Sequence, residues 1–431
     1  MASAILHIKD AYYFEVPRAL WKSDREAILD FPEHYVRLDP DYQAWEAERQ
    51  YDGLAQLEGL ESLPPKQQLI SRWQAWQHDH ANFAKPFDRF LEEATSQTWF
   101  QTQISAPPEP KRLPNESDAD YEARLEAWEA EAEQAENLQQ QWTQVKAEAE
   151  GVEEYAEAEG EWPAGKVEAY NRMLDGKILI PQPFGKLRNN YEKESGFAIS
   201  KFMILQLLVA VILIAIFAGL AKRVRNGRPA KGRLWNMFEA FLLFIRDEIA
   251  RPAIGHHDAD RFVPLLWTIF MFVLGCNLLG MIPWLGAPTG SFSVTLGLAA
   301  VTFATVIVAG SIRFGILGFW KNQVPHMGLP MVLAIPIVPM LFAIEVLGLF
   351  IKHLVLGIRL LANMVAGHLV LLAIMGLAVA AANSSMWPVT AGISVVGSAL
   401  FSVLELFVAF LQAYVFTFLS ALFIGAAVHH H

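Results

Sequence analysis

The sequence predicts an all-α, polytopic membrane protein with a mostly helical extension before its membrane part. The chain has 431 residues, of which 53% are hydrophobic, and a formal net charge of −11. Nearly all acidic residues lie before position 200, and nearly all long apolar runs lie after it. Two of those runs are much longer than one membrane crossing requires. The change in composition near Ser195 predicts an acidic extension over residues 1–195 and a membrane-embedded part over residues 196–428.

Charge, cysteine content and motifs argue against several function classes. Because the negative charge lies in the extension, nucleic-acid binding there is not expected. Cys276 is the single cysteine, so neither a disulfide framework nor a thiolate metal site is expected. Residues 1–30 contain charges throughout, which is not typical of a cleavable secretion signal. No glycine-rich phosphate loop appears. The histidines at 256–257 and 429–431 lack the spacing of metal ligands, so no metal site is expected. We also expect no cofactor.

The extension has the composition of a small helical domain. Its tryptophans at 45, 73, 76 and 99 could form a modest core, but no chemical motif accompanies them. Apolar residues recur every three or four positions over 121–145, roughly as in a heptad repeat, with glutamates between them. This pattern predicts one long helix over about 116–150, with a solvated face and an apolar seam that could pack on a partner helix.

Three runs have the length of ordinary membrane spans, at 197–221, 262–284 and 292–312. Basic residues at 222–233 follow the first span, which predicts that this loop is cytoplasmic. The extension would then lie on the opposite side, since long domains translocate largely regardless of charge. Residues 234–249 are apolar on one side and charged on the other, which predicts an amphipathic helix along the membrane surface.

Two later regions do not fit an ordinary span. Residues 331–382 are apolar without a convincing loop, and residues 389–427 form a second such run. A helix of 50 residues would be about 75 Å long, more than twice the thickness of the bilayer core. Either each region folds back on itself, or its helix is inclined and covered by another protein. Pro336 and Pro339 are expected to break the first region near its start.

Polar side chains interrupt both regions. The first carries Glu345, Lys352, His353, Arg359, Asn363 and His368, and the second carries Glu405 and Gln412. A charge at the bilayer centre costs at least ~2.5–3.5 kcal/mol, so such a residue is expected to be functional. Glu345, Lys352 and Arg359 are seven apart and share one helix face, whereas His368 lies roughly opposite.

Some of these side chains also have a purely structural interpretation. Lys352 and His353 could reach the membrane interface, and Glu345 could simply pair with Lys352. Arg359 is flanked by the apolar residues Ile358 and Leu360, so neither structural interpretation is expected to apply to it.

An antiparallel arrangement of the two regions brings their polar residues to matching depths. One register places Arg359 opposite Gln412 and His368 opposite Glu405. This coincidence favours a polar pathway over unrelated core residues.

Four ordered motifs carry a family resemblance. They are Gly357-Ile-Arg-Leu-Leu-Ala-Asn-Met-Val-Ala-Gly-His368, Leu404-Glu-Leu-Phe-Val-Ala-Phe-Leu-Gln-Ala-Tyr-Val-Phe416, Asn277-Leu-Leu-Gly-Met-Ile-Pro283 and Pro325-His-Met-Gly-Leu-Pro330. Together they resemble subunit a of the F-type ATP synthase over residues 196–428. The resemblance implies a membrane fold with two long inclined helices in an antiparallel hairpin that follow a rotating ring of c subunits.

The resemblance also implies a mechanism. Arg359 would be the essential arginine that separates two aqueous half-channels leading to the membrane-embedded carboxylates of the ring. His368 and Glu405 would form the proton relay on the non-cytoplasmic side. Asn363 and Gln412 would support the arginine and hydrate the path. Glu345 would line the cytoplasmic half-channel.

Partners and location follow from the same resemblance. The implied partners are the c-ring, the peripheral-stalk b subunits, the remainder of the F1Fo complex and lipid, but not nucleic acid. The chain would be a non-catalytic, multi-pass subunit of the bacterial inner membrane. Its extension would be periplasmic and its C-terminus cytoplasmic.

Several alternatives remain at this point. A secondary transporter or ion channel with a midplane ionic site is the main one, although no internal repeat is visible. A sodium-coupled form of the same subunit and a binding module with a membrane anchor are others. The extension could contact the ring or the stalk, or could join two complexes.

Overall fold

The computed structural model describes residues 10–57, 60, 63–79, 82, 85–94, 108–112, 117–158, 162–225, 232–282, 285–323 and 331–429. The chain divides into two compact units. The extension unit consists of Pro17–Gly176 and Gly185–Gly196. The membrane unit consists of Met1–Val16, Lys177–Phe184 and Phe197–His431. Residues 10–16 and 177–184, predicted from composition to belong to the extension, are therefore grouped with the membrane helices.

The elements up to residue 196 are short apart from one long helix. In chain order they are β1 (Tyr13–Glu15), α1 (Glu33–Val36), α2 (Pro40–Leu54), α3 (Lys66–Gln77), α4 (Phe87–Glu93), α5 (Asp118–Ala149), α6 (Val152–Ala158), α7 (Ala164–Leu174), β2 (Lys177–Leu179), β3 (Gly185–Leu187) and β4 (Lys193–Gly196).

The elements after residue 196 are all helical. They are α8 (Lys201–Arg225), α9 (Arg233–Phe244), a π-helical turn (Ile245–Ala250), α10 (Arg251–Ile254), α11 (Ala259–Gly280), a 3-10 turn (Pro288–Gly290), α12 (Phe292–Phe314), α13 (Ile316–Lys321), α14 (Met331–Ala380) and α15 (Trp387–Val428).

The extension unit is built around aromatic residues. Trp73, Phe87, Phe90 and Trp142 are almost completely buried where α2, α3, α4 and α5 meet. The long helix expected over 116–150 is present as α5. It begins after Ser117, whose hydroxyl accepts a hydrogen bond from the Asp120 amide. Trp99 lies outside the described residues.

A short ribbon in the membrane unit caps the first long membrane helix. Strands β1 and β2 pair antiparallel, with Tyr13 opposite Leu179. The Lys201 amide donates to the Ala11 carbonyl at 2.8 Å, and the Phe202 amide donates to Asp10 Oδ1 at 3.2 Å. Burial raises the pKa of Asp10. Because the first amides of a helix have no partner within it, these contacts fix where α8 begins.

The membrane unit confirms the predicted polytopic all-α fold. Five of its helices are long and apolar enough to cross a membrane, namely α8, α11, α12, α14 and α15. Most of the α11 side chains are buried, and α11 packs against α15 around Cys276 and Phe416, both fully buried.

The two longest helices are continuous. Helix α14 has 50 residues and α15 has 42, so neither region folds back on itself. The expectation that Pro336 and Pro339 break the first region was wrong, because α14 runs through both. In apolar surroundings an interrupted helix leaves several backbone groups without partners, so a proline is tolerated within a continuous helix.

Helix α9 leads without a break through the π-helical turn into α10. Its apolar side chains Leu234 and Met237 are exposed. Asp247, in the π-helical turn, lies 2.9 Å from Arg246 and 2.7 Å from Arg251. The predicted position along a membrane surface stays a prediction.

Candidate functional site between the two long helices

His368 on α14 and Glu405 on α15 are in contact. His368 Nδ1 lies 2.9 Å from Glu405 Oε1, and the two side chains are only 14% and 8% exposed. The nitrogen is out of line for a hydrogen bond, so Glu405 Oε1 is buried without one among the described residues. Gly367 makes room for the carboxylate, since a Cβ there would lie 2.8 Å from that oxygen. The predicted juxtaposition of His368 and Glu405 is therefore present.

Asn363 and Gln412 form a second polar contact between the same helices. Asn363 Nδ2 donates to Gln412 Oε1 at 2.7 Å. The sequence-based register placed Gln412 opposite Arg359, which was wrong by one helical turn.

A small cavity of about 20 Å³ lies between these two contacts. Its lining includes Asn363, Glu405 and Gln412. Gln412 Nε2 and Glu405 Oε1 are both buried and without a hydrogen bond from any described residue. A cavity of this size with polar walls has room for about one water molecule. One water could therefore supply both missing partners.

Asn277 on α11 holds α15 in place beside the site. The side chain is 2% exposed, and its Nδ2 donates to the Ala409 carbonyl at 3.2 Å. Thr289, in the 3-10 turn, donates to Asn277 Oδ1 at 2.8 Å. The Asn277 motif was visible in the sequence, but its partners Thr289 and Ala409 were not.

Arg359 lies on the exposed surface of α14. Among the residues that the structure describes, its guanidinium has no hydrogen bond or ion pair. Leu356 and Leu360 are 1% exposed, and Gly357 packs so closely on α12 that a Cβ would lie 2.9 Å from the Thr295 carbonyl. This packing fixes the rotation of α14 and turns Arg359 outward.

The remaining polar residues of α14 lie toward its N-terminal end. Glu345 and Lys352 are both about half exposed and lie 3.9 Å apart, so Glu345 is not brought to the His368–Glu405 pair. His353 is 3% exposed, bonds the Leu349 carbonyl through Nδ1 at 2.8 Å and does not reach a surface. Its ring packs between Phe303 and Phe423, a contact that could not be predicted from the sequence.

Comparison with known proteins identifies the family. The family model described as ATP synthase A chain matches residues 203–425, slightly more than half of the chain. The chain belongs to the ATP synthase subunit a family. Subunit a of Myxococcus xanthus is 40% identical over 237 residues, which cover 54% of this chain and 75% of that protein.

Two further relatives give the same result. Subunit a of Chloroherpeton thalassium is 38% identical over 271 residues, covering 62% of this chain and 78% of that protein. Subunit a 2 of Chlorobaculum tepidum is 37% identical over 264 residues, covering 60% of this chain and 72% of that protein.

ATP synthase subunit a is a multi-pass protein of the bacterial inner membrane and belongs to the Fo sector of the F1Fo complex, with the c-ring. It is not itself a catalytic enzyme. Two family motifs are not fully described. Pro283, the last residue of the motif that begins at Asn277, lies outside the described residues, and so does the whole motif at 325–330. Among the described residues, no three His, Cys, Asp or Glu side chains are grouped so as to hold a metal ion.

Proposed function

We propose that this subunit a conducts protons along two half-channels against a c-ring and that Arg359 separates the two. The observation that supports this most is the contrast on α14 and α15. Arg359, which has no ion pair among the described residues, faces outward, while two side chains that can exchange protons, His368 and Glu405, are buried behind it.

Arg359 needs a partner from another chain. A guanidinium stays protonated under physiological conditions. Its exposed neighbours Val355 and Ile358 are apolar, and a charge facing lipid costs at least ~2.5–3.5 kcal/mol. A carboxylate on a neighbouring ring would remove that cost. A fixed cation would also attract the deprotonated ring carboxylate and repel a proton crossing directly between the half-channels.

The relay would lie on the non-cytoplasmic side. Histidine and glutamate both change protonation state readily, and chains of such residues carry protons in membranes. Along α14, His368 is nine residues from Arg359, or about 14 Å. The small cavity would place one water between Glu405 and the Asn363–Gln412 contact, which would extend the path toward Arg359.

Glu345 would serve the cytoplasmic half-channel. Its carboxylate is about half exposed and lies on the opposite side of Arg359 along α14 from His368. Lys352 lies 3.9 Å from that carboxylate and would direct the side chain along the helix.

The basic residues after α8 support a cytoplasmic location for that end of the helix. Residues 1–195 would then form a periplasmic extension before the membrane domain at 196–428. With five crossings, the C-terminus would be cytoplasmic. The b subunits of the peripheral stalk are proposed partners, and the extension would contact the stalk, the ring or a second complex.

Replacement of Arg359 by alanine tests the proposal. In vesicles containing the purified complex, R359A should reduce ATP-driven proton uptake to the level of vesicles without the complex. The matched control is R313A at the exposed end of α12, which should leave uptake unchanged. Normal pumping by R359A would overturn the proposal.

A further inference from the structure

The extension unit contains a polar cavity of about 350 Å³. It lies between α2, α4, the C-terminal end of α5 and the β3–β4 hairpin. Five of its lining side chains are basic and five are acidic. The volume is within the range of sites that bind small molecules, and the lining is that of a site for a charged ligand.

Most charges of the lining neutralise one another. Arg37 forms ion pairs with Glu150 and, at 2.7 Å, with Glu194. Lys146 lies 2.6 Å from Glu92. These groups have little capacity left for a ligand.

Three neighbouring side chains have fewer donors than they can accept. Among the described residues, Glu46 and Asp88 form no ion pair with a lysine or arginine, and Glu46 accepts one hydrogen bond, a long one of 3.4 Å from Tyr42. Asp88 Oδ1 is buried without a donor. Gln50 is 2% exposed, and its Oε1 also has no donor. A buried acceptor that lacks a donor destabilises the protein, so these groups together favour binding of a donor.

The charge around Glu46 agrees with this view. Burial, and then the nearby Asp88 carboxylate, raise the pKa of Glu46 to about 8. Arg37 acts against this rise but is engaged with Glu150 and Glu194, so a cation from a ligand would be favoured beside the two carboxylates.

We propose that the cavity binds a small zwitterion with a primary ammonium group and a nearby anionic group, as in an amino acid. An ammonium has three N–H donors, which matches the acceptors of Glu46, Asp88 and Gln50. The anionic group would meet Arg188, which lines the cavity and whose guanidinium has no hydrogen bond or ion pair with a described residue. Arginine suits a carboxylate or phosphate because it offers paired donors.

Calorimetric titration of the full-length chain in lipid nanodiscs tests the proposal. Glycine and 4-aminobutyrate are the probes, since they separate the two charges by different lengths. Their N-trimethyl analogues keep both charges but have no N–H donors. At least one probe should bind with 1:1 stoichiometry, and its trimethyl analogue should bind at least roughly tenfold more weakly, as expected for lost hydrogen bonds to a charged group.

Three variants locate the site. Q50L, D88N and R188M should each weaken binding roughly tenfold or more. E168Q is the control, because Glu168 pairs with Arg172 on α7 and neither residue is part of the lining. Q50L places an apolar side chain at a buried position, so it should keep its fold, which hydrogen-exchange protection of α2 would verify. Absence of saturable binding, equal binding of the trimethyl analogue, or unchanged affinity in all three variants would each overturn the proposal.

Discussion

At the residue scale, the contact between His368 and Glu405 combines two side chains that can each gain or lose a proton. At 2.9 Å, a proton on either side chain changes the charge felt by the other. A proton relay requires one imidazole and one carboxylate in contact, whichever of the two helices carries each group. Proton transfer should therefore continue when His368 and Glu405 are exchanged.

The exchange can be tested directly. E405Q removes the titrating carboxylate at nearly constant volume and should lower ATP-driven proton uptake at least roughly tenfold, the lower end of what one proton-transfer group contributes. The double variant H368E/E405H should recover part of the loss. The measurement is fluorescence quenching in vesicles with matched amounts of complex. If H368E/E405H is no better than E405Q, the pair does not act as an interchangeable relay.

The residue-level predictions from sequence were only partly correct. The pairing of His368 with Glu405 followed from helical spacing alone. The pairing of Arg359 with Gln412 did not hold, because Asn363 occupies that place. Spacing along one helix cannot reveal how the partner axis is inclined, and a long arginine side chain can turn away from the nearest helix.

At the element scale, glycines set how closely α14 approaches its neighbours. Gly357 lies against a backbone carbonyl of α12, which cannot move aside as a flexible side chain can. Gly348 and Gly376 lie on the same helix, and a Cβ at either position would have no atom within 4 Å. Gly348 and Gly376 are therefore control positions for a glycine-to-alanine substitution at Gly357.

G357A should destabilise the isolated chain by about 1–3 kcal/mol, the usual cost of overpacking. G348A and G376A should be neutral or stabilising by up to about 1 kcal/mol, because alanine favours the helix. Thermal unfolding in detergent, followed by fluorescence, measures all three. Equal effects at all three positions would show that the α12–α14 contact is not close.

A second prediction at this scale concerns pH and the extension unit. Burial lowers the pKa of His34 to about 4 and raises that of Glu46 to about 8. The stability from His34 is complete above pH 6.5, where the unfolded histidine is also neutral. The stability from Glu46 is complete below pH 4.5 and is lost as pH rises through 8, because the folded state holds the extra proton.

The two groups oppose each other between about pH 4.5 and 6.5, but only Glu46 acts between about 6.5 and 8. Its surroundings are Asp88, Arg37, Glu150 and Tyr42. Stability should fall across this upper window by up to about 1.4 kcal/mol per pH unit. Hydrogen exchange of α2 in the full chain, corrected for intrinsic rates, measures the slope. E46Q should flatten it and E93Q should not. A rising slope in the native chain would contradict this assignment.

At the scale of the whole molecule, the sequence predicted the class of fold better than the arrangement of its parts. Apolar run lengths predicted three ordinary spans and two longer apolar regions, and the heptad-like pattern predicted α5. The ribbon of β1 and β2 was missed, because Tyr13 and Leu179 are far apart in the chain and neither strand has a strong pattern of its own. The cavity of the extension was missed for the same reason, since Glu46, Asp88 and Arg188 come from distant segments.

The proposed orientation can be tested on the whole chain. In a C276S background, single cysteines at exposed positions 126 and 222 report on α5 and on the end of α8. A membrane-impermeant maleimide should label E126C in right-side-out vesicles and K222C only in inverted vesicles. Labelling in the opposite pattern would reverse the orientation and place the extension in the cytoplasm.

Arg359 is proposed to divide one proton path from another. The decisive measurement is passive proton flux through the complex in vesicles, driven by an imposed pH gradient without nucleotide. R359A should conduct protons passively, whereas the native complex should do so far more slowly. R359A/E405Q should lose this leak, because the relay on one side would then be interrupted. Vesicles with R359A that do not leak protons, or an undiminished leak in the double variant, would show that Arg359 does not separate the two paths.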